Sequence, residues 1–279
     1  MDVREEILKY IHSKYVIASI ISDYDGIIAG SCLIRNETEK TGLSLLHIVE
    51  DGSRVDKGDE VLRIAGSPKQ IMAAEEIFIG LLAKASGIAT SAHEFVKAAG
   101  GRPEVVCGAW KKMPGALKDV IRNAVSLGGV SPRMAAGPFV YLDKNPIELL
   151  GGIKRSLDAV AHLENHTKVV QIKGRYRDIA SEACEAADCG ADIVFVDTGE
   201  TDDMAAVARK LVQSGLRSRV KLAFGGGVSI EKIGTLKTLD VDIVDVGRQI
   251  VDAPLLDMRL EIIGLHAGSE VLSRVGTGI

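Results

Sequence analysis

Three consecutive glycines are the most informative chemical feature of this sequence. Gly225, Gly226 and Gly227 (the glycine run) follow the apolar residues 220–224 and precede Ser229 and a helix-like pattern. Glycine lets main-chain N–H groups approach an anion closely, and a helix N-terminus favours negative charge. Ser229 is a favourable N-cap residue for that helix. The run therefore predicts either a phosphate-binding loop or a tight strand-to-helix turn, and both interpretations stay open from these residues alone.

Other polar side chains stand where short β-branched segments end. Asp197 ends one segment, Gln171 and Lys173 lie at the end of another, and Arg248 follows Gly247 after a third. Polar or glycine residues at the ends of such segments fit a parallel sheet, either a closed barrel or a doubly wound sheet. An upstream basic cluster either binds a small polyanion such as a sugar phosphate or forms a solvated surface. Its members are Lys111, Lys112, Lys118, Arg122 and Arg133.

The elements that would position these residues alternate between strand and helix. Strand-like segments cover residues 105–107, 139–142, 168–172, 192–197, 220–223 and 242–246, with helix-like patterns between most of them. Repeated βα units predict a parallel sheet covered by helices. The polar ends are spread over many units and no G-x-G-x-x-G fingerprint occurs, which favours a barrel over a doubly wound sheet.

The first hundred residues predict a separate α+β domain. Strand-like segments and a hairpin-rich stretch are followed by a helix, a break at Gly87 that would join the domains, and a second helix. We predict an N-terminal α+β domain over residues 1–98 and an α/β barrel over residues 99–257. A C-terminal helix over residues 258–279 is expected to pack on the first domain.

Composition limits the function classes. The chain has 279 residues, of which 46% are hydrophobic and 26% charged, and its formal net charge is −4. Nucleic-acid binding relies on a broad basic surface, so this charge argues against it. No apolar run has membrane-spanning length, and the acidic N-terminal residues lack the pattern of a secretory signal. We expect a cytoplasmic protein that binds small molecules, with neither a membrane nor a nucleic acid as partner.

Short motifs in a defined order indicate a family. They are Ser86-Gly87-Ile88-Ala89-Thr90, Lys111 with Met113-Pro114-Gly115, Gly128-Gly129-Val130 with Arg133, Gly190-Ala191-Asp192 with Val196-Asp197, Gly226-Gly227-Val228, and Val246-Gly247. This order resembles that of the type II phosphoribosyltransferases. Over residues 16–263 the chain is similar to the quinolinate phosphoribosyltransferase (nicotinate-nucleotide pyrophosphorylase) family, including its ModD-type members.

The resemblance implies an N-terminal open sandwich domain, an incomplete parallel α/β barrel, and a homodimer or an oligomer of dimers whose active sites are shared between subunits. It implies transfer of phosphoribose from 5-phosphoribosyl 1-pyrophosphate (PRPP) to a nitrogen heterocycle, with Mg²⁺, release of pyrophosphate and a role in NAD biosynthesis. Gly226, Gly227 and Gly247 match family glycines on the phosphate side, so a phosphate is expected near the glycine run. Arg248 either adds a phosphate contact that the family usually lacks or is an exposed arginine at a helix start. Asp197 matches an acidic residue near ribose and metal. Lys111 and Arg133 match basic residues, with Lys111 and Asp197 expected to be catalytic and Arg133 to bind phosphate.

The heterocycle side departs from the family pattern. Glu76 stands where the family donates an arginine across the dimer, Trp110 replaces a second arginine, and Asp143 stands at a family lysine. The family glutamate of the middle strand falls at Gln171 or Lys173. A dicarboxylate would be left with unpaired charge there, which is costly in a partly desolvated site. We expect a pyridine carboxylate-like acceptor other than quinolinate, with Trp110 either stacking on its ring or packing in the core.

Two other functions stay open from the sequence. The departures on the heterocycle side are consistent with a paralogue that binds a nucleotide or phosphosugar without catalysis. A barrel lyase is the second alternative, since a lysine such as Lys173 at the end of a barrel strand can form a Schiff base with a carbonyl substrate.

Overall fold

The computed structural model of the chain describes residues 3–267, apart from the side chains of Ala109 and Trp110. Its α-helices are α1 (Val3–Ile7), α2 (Ser31–Thr41), α3 (Pro68–Ala99), α4 (Lys118–Leu127), α5 (Lys144–Leu150), α6 (Ile153–Ala159), α7 (Ile179–Asp188), α8 (Thr201–Gln213), α9 (Ile230–Thr238) and α10 (Arg248–Val251). Its strands are β1 (Lys14–Ser22), β2 (Gly26–Ile27), β3 (Ser44–Ile48), β4 (Arg54–Val55), β5 (Glu60–Gly66), β6 (Glu104–Val106), β7 (Phe139–Leu142), β8 (Thr167–Ile172), β9 (Ile193–Asp197), β10 (Lys221–Gly225), β11 (Ile243–Asp245) and β12 (Met258–Ala267). No helix within the described residues is long and apolar enough to cross a membrane.

The first of two compact units is an antiparallel sheet packed on helices. Within the described residues its segments are 3–91, 115–128 and 253–267. The main sheet has the strand order β12-β1-β5-β3, and β2 pairs separately with β4. Buried residues of β1 and β5, such as Ile20 and Leu62, pack with Phe78 and Leu82 of α3. This arrangement confirms the predicted α+β domain, although the first segment of the unit ends at Ser91 and two later segments belong to it as well.

The segment after the barrel is a strand, so the helix predicted over residues 258–279 is wrong where the structure describes it. Strand β12 pairs antiparallel with β1 along its length. Met258 and Leu260 alternate with charged residues and pack against the core of the first unit. Apolar and charged side chains at the start of this segment therefore alternate every two residues, as in a strand, and do not follow the period of a helix. The rest of the predicted helix, residues 268–279, lies outside the described residues.

Helix α3 runs through the position where a break was expected. At Gly87 the main chain that leads into β12 lies directly against the helix, and Leu256 N–H donates to the main-chain oxygen of Ala83 at 3.0 Å. A Cβ on residue 87 would lie 2.0 Å from the main-chain oxygen of Pro254. Gly87 is therefore required by the close approach of two main chains and does not interrupt the helix.

The contact at Gly87 predicts a large loss of stability on adding one methyl group. Gly87→Ala should lower the free energy of unfolding by roughly 2–4 kcal/mol, because the clash with main-chain atoms outweighs the better helix propensity of alanine. Gly80→Ala in the same helix is the matched control, since its Cβ would meet open space, and it should be neutral or stabilising. Urea denaturation measures both, and equal effects of the two substitutions would contradict the contact.

The second unit is an incomplete parallel α/β barrel. Its segments are Ala92–Pro114 and Gly129–Asp252. The six strands predicted from the βα alternation are confirmed and form one sheet of order β6-β11-β10-β9-β8-β7, in which β6 and β7 do not pair with each other within the described residues. Side chains from all six strands nevertheless meet in a single apolar cluster, which includes Val106, Phe139, Val169, Ile193, Ala223 and Ile243. A flat sheet would hold its edge strands apart, so this sheet is rolled, as in a barrel.

Candidate active site

Successive side chains along each barrel strand point alternately into and out of the barrel, and this alternation determines which polar groups meet at the carboxyl ends of the strands. Val169, Phe195 and Ile243 belong to the apolar cluster inside the barrel. Side chains two residues apart share one face of a strand. The next residues on that face are Gln171, Asp197 and Asp245. Because the strands are parallel, their carboxyl ends lie at one edge, and the barrel interior changes from apolar to polar there.

Asp197 is at the centre of this polar group. Gln171 Nε2 donates to Asp197 Oδ2 at 2.5 Å, and Lys173 Nζ lies 2.7 Å from the same oxygen. Lys173 Nζ also donates to the main-chain oxygen of Asp197 at 2.6 Å. The two alternatives for the family glutamate position therefore contact the same aspartate. Two donors, one of them charged, orient its carboxylate.

A second ion pair joins Lys111 and Asp143. Lys111 Nζ donates to Asp143 Oδ2 and lies 5.9 Å from the centroid of the Tyr141 ring. Asp143 is the N-cap of α5, where its Oδ1 accepts from Asn145 N–H at 2.9 Å. Burial alone would raise the pKa of Asp143, but the hydrogen bonds from Lys111 and Asn145 outweigh it and hold the pKa below its ordinary value. The pair therefore carries one positive and one negative charge at neutral pH.

Two candidates that sequence reasoning missed, Tyr141 and Asp245, complete the group. Asp245 Oδ1 accepts from Gly108 N–H at 2.8 Å. Burial, with a smaller contribution from the Asp197 charge, raises the pKa of Asp245 to about 6 against the lowering effect of Gly108. Burial and then the charges of Asp245, Asp197 and Asp143 raise the pKa of Tyr141, which keeps its phenol a hydrogen-bond donor. A signal for Asp245 was present, since it ends β11 as Asp197 ends β9.

The raised pKa of the partly buried Asp245 carboxyl predicts pH-dependent stability. Its folded-state pKa of about 6 exceeds the ordinary value of 3.8, so the stability of the neutral form is complete below about pH 4 and is lost as the pH rises through about 6. Asp245→Asn should raise the free energy of unfolding by roughly 2–3 kcal/mol at about pH 8 and change it little at about pH 4. Urea denaturation without Mg²⁺ measures this difference. Asp202→Asn at an exposed position of α8 is the control, and an equal gain from Asp245→Asn at both pH values would contradict the raised pKa.

Each glycine of the glycine run is required for its own reason. A Cβ on Gly225 would lie 2.7 Å from the Phe195 ring. Gly226 has φ +102°, and its Cβ would lie 2.5 Å from Gly199 N. Gly227 has φ +87° but open space where its Cβ would be, so its backbone conformation alone favours glycine. The run is therefore a tight turn after β10, one of its two predicted roles.

A cavity of about 640 Å³ opens beside the glycine run. The main chain of Gly226 and Gly227 forms part of its wall together with Gly247, and Lys112 and Arg248 contribute positive charge. Its other charged lining residues are Asp197, Asp245 and Asp252. The structure thus brings most residues of the predicted phosphate side together with the central aspartate. A concave site with a main-chain wall and a few charged groups is typical of small-molecule binding.

Arg133, expected to bind phosphate, and Ser229, expected to cap α9, both contact other partners. Arg133 Nη2 donates to the main-chain oxygen of Gly137 at 3.2 Å, and its guanidinium lies 5.2 Å from the centroid of the Phe139 ring. These contacts hold Arg133 at the amino end of β7, and its phosphate contact stays a prediction. Ser229 precedes α9 without capping it. Its hydroxyl hydrogen-bonds Glu231 instead and lowers the pKa of that carboxyl.

Of two candidates for the heterocycle side, the structure describes the contacts of Glu76 but not those of the Trp110 side chain. Glu76 belongs to the first unit, where its Oε2 accepts from Arg4 Nη2 at 2.5 Å. Trp110 lies in a short 3-10 helix, Ala109–Lys112, and its side chain is outside the described part of the structure. Stacking of a ring on Trp110 therefore stays a prediction.

Comparison with known proteins identifies the family to which this chain is similar. The family model described as "Quinolinate phosphoribosyl transferase, N-terminal domain" matches residues 2–86, and its C-terminal counterpart matches residues 88–261. A probable nicotinate-nucleotide pyrophosphorylase (carboxylating) of Archaeoglobus fulgidus is 28% identical over 255 residues, which are 91% of this chain and 96% of the relative. The Homo sapiens nicotinate-nucleotide pyrophosphorylase (carboxylating) is 24% identical over 88% of this chain and 82% of its own length.

A solved structure shows the same fold. The crystal structure of nicotinate-nucleotide pyrophosphorylase from Pyrococcus furiosus superposes with a TM-score of 0.82 at 22% identity, over 94% of this chain and 72% of that one. Both domains of the chain are thus matched by sequence and by structure. The chain belongs to the quinolinate phosphoribosyl transferase family and is a phosphoribosyltransferase of that type.

Proposed function

We propose that this protein transfers the phosphoribosyl group of PRPP to a nitrogen heterocycle that carries at most one carboxylate, with release of pyrophosphate. The proposal rests on the observation that the two lysines of the candidate site are already paired with aspartates, Lys111 with Asp143 and Lys173 with Asp197. A dicarboxylate such as quinolinate needs unpaired cations, because an uncompensated charge is costly in a partly desolvated site. The family and the printed names of the relatives support the transfer itself.

The glycine run supports a site for the 5-phosphate of PRPP. Main-chain N–H groups of Gly226 and Gly227 would donate to phosphate oxygens, since no side chain separates them from the cavity. Arg248 and Lys112 line the same cavity. Their positive charges would bind the remaining phosphate oxygens, with the guanidinium suited to a two-point contact.

Asp197 would supply the negative charge that the reaction needs. The bond between C1 of the ribose and pyrophosphate breaks with its electron pair leaving on pyrophosphate, and the sugar becomes oxocarbenium-like. The carboxylate of Asp197 opposes that positive charge without reorienting, because Gln171 and Lys173 already hold it. The lone pair of the heterocycle nitrogen then forms the new bond to C1. The phenol of Tyr141 would donate a hydrogen bond to the acceptor.

Magnesium is part of this proposal. The donors to the Asp197 carboxylate bind Oδ2, and the donor to Asp245 binds Oδ1, so each carboxylate retains an oxygen for a cation. Protein-bound Mg²⁺ commonly uses one or two carboxylates together with substrate phosphates. Within the described residues no group of three or more His, Cys, Asp or Glu forms a metal site. Asp197 and Asp245 therefore fit an ion that arrives with PRPP and, when bound, neutralises the leaving pyrophosphate.

A pyrophosphate-release assay tests the proposal. PRPP, Mg²⁺ and a panel of heterocycles are supplied, and we expect release with a neutral or monocarboxylate ring such as nicotinate and a rate at least about tenfold lower with quinolinate. Equal rates with quinolinate would overturn the proposed acceptor class. Tight binding of PRPP without release for any acceptor would favour the non-catalytic paralogue. The lyase alternative finds no support in the family match.

The shared-site homodimer implied by the family stays a prediction. Analytical ultracentrifugation tests the dimer. Mixing a Glu76→Arg variant with an Asp197→Asn variant tests whether Glu76 reaches the partner's site, because activity in the mixed dimer would then differ from the mean of the two homodimers.

A further inference from the structure

The loop between β8 and α7 surrounds a buried carboxylate that the proposed reaction does not use directly. Glu182 lies in the first turns of α7 and is 2% exposed. Its Oε2 accepts from the main-chain N–H of Lys173 at 3.2 Å and of Gly174 at 2.8 Å, and its Oε1 accepts from Tyr176 N–H at 2.8 Å. A buried carboxylate is costly unless its oxygens are hydrogen-bonded, and here both are. Glu182 therefore determines the path of this loop.

The same loop determines where the ammonium of Lys173 lies. Gly174 has φ +66° and turns the chain immediately after Lys173. At the other end of the loop Asp178 caps α7 by accepting from Ser181 N–H at 2.9 Å. The loop is thus held at both ends, and its first side chain is the one that donates to the carboxylate and the main-chain oxygen of Asp197.

We propose that Glu182 is a positioning residue for phosphoribosyl transfer, because its three main-chain hydrogen bonds place Lys173 on Asp197 and so orient the carboxylate that faces the reacting sugar. The effect on rate rests on the proposed function, whereas the Lys173 contact does not. Glu182 is absent from the lining of the cavity beside the glycine run. Its loss should therefore lower kcat and leave the affinity for PRPP nearly unchanged.

Glu182→Gln is the first test, because glutamine keeps the shape of the side chain but replaces one acceptor oxygen by a donor. We expect kcat to fall about tenfold and the calorimetric Kd for PRPP to stay within about twofold. Glu185→Gln on the same helix is the matched control, since Glu185 pairs at 3.6 Å with Arg177 and accepts none of the three loop N–H bonds; it should leave both quantities unchanged. Glu182→Asp retains a carboxylate and should recover part of kcat. A wild-type kcat in Glu182→Gln would overturn the proposal.

A double-mutant cycle tests whether Glu182 acts through Lys173. If it does, the variant with both Glu182→Gln and Lys173→Met has the kcat of Lys173→Met alone. A further tenfold loss in the double variant would show that Glu182 acts elsewhere and would overturn the proposal.

Acylation of Lys173 gives a measurement that needs no turnover. With an N-hydroxysuccinimide ester and detection by mass spectrometry, we expect Lys173 to react several-fold faster in Glu182→Gln than in the wild type or in Glu185→Gln, because the released ammonium loses its partner. If the wild type releases no pyrophosphate, the proposed function fails. The acylation rates still test whether Glu182 positions Lys173. Equal acylation rates would overturn it.

Discussion

Asp197→Asn is expected to lower kcat/KM for phosphoribosyl transfer by about 1000-fold, which corresponds to roughly 4 kcal/mol of transition-state stabilisation. The substitution removes the negative charge at the centre of the polar group. Gln171 and Lys173 both donate to Oδ2, and the amide oxygen of asparagine can accept from both, so the substitution removes the charge while keeping the acceptor. Steady-state pyrophosphate release at saturating Mg²⁺ measures the effect.

Asp192→Asn is the matched control for this prediction. Asp192 immediately precedes β9 at its amino end, where its Oδ2 accepts from Lys168 N–H at 2.7 Å, so it has the same side chain at the opposite end of the strand from Asp197. We expect its kcat/KM to stay within about threefold of the wild type, since surface substitutions away from a site have small effects. More than a tenth of wild-type activity in Asp197→Asn would contradict the role assigned to Asp197.

Gly226→Ala is expected to weaken PRPP binding at least about 100-fold, or roughly 2.7 kcal/mol. The new Cβ would lie 2.5 Å from Gly199 N and 2.9 Å from the carbonyl carbon of Thr198. Gly199 N–H itself donates to the main-chain oxygen of Gly225 at 2.9 Å. Because both loops are held by main-chain contacts, the methyl group must separate them and displace the main chain of Gly226 and Gly227, which lines the cavity. Isothermal titration calorimetry with PRPP measures the loss.

Gly215→Ala is the control that distinguishes the steric clash at residue 226 from the strain of a positive φ. Gly215 also has positive φ, +68°, but its Cβ would meet open space, and it does not line the cavity. We expect Gly215→Ala to lower stability by about 1 kcal/mol through strain alone and to bind PRPP with wild-type affinity. Wild-type affinity in Gly226→Ala as well would show that the phosphate does not bind at the glycine run.

Most of the barrel was predictable because its signals are local. Each of its six strands is a short β-branched segment between helical patterns, and buried parallel strands have this pattern whatever their neighbours are. The glycine run was recognisable for the same reason, since positive φ values at Gly226 and Gly227 are a property of the turn itself.

Segments whose conformation depends on a distant partner were predicted wrongly. Strand β12 exists because β1 offers it a hydrogen-bonding edge, and the propensities of residues 258–267 do not contain that information. Gly87 has the local properties of a helix break, yet α3 passes through it, and the missing side chain leaves space for the main-chain oxygen of Pro254. In both cases a contact made far along the chain outweighs the local preference.

The sequence by itself determined which chemical groups stand at the carboxyl ends of the strands, because the two-residue period of a strand and the conformational range of glycine are properties of neighbouring residues. Only the tertiary structure decided which charges neutralise each other. Lys111 and Asp143 are 32 residues apart in the chain, and Lys173 and Asp197 are 24 apart. Their pairing depends on the rolled sheet, which brings the ends of separate strands to one edge.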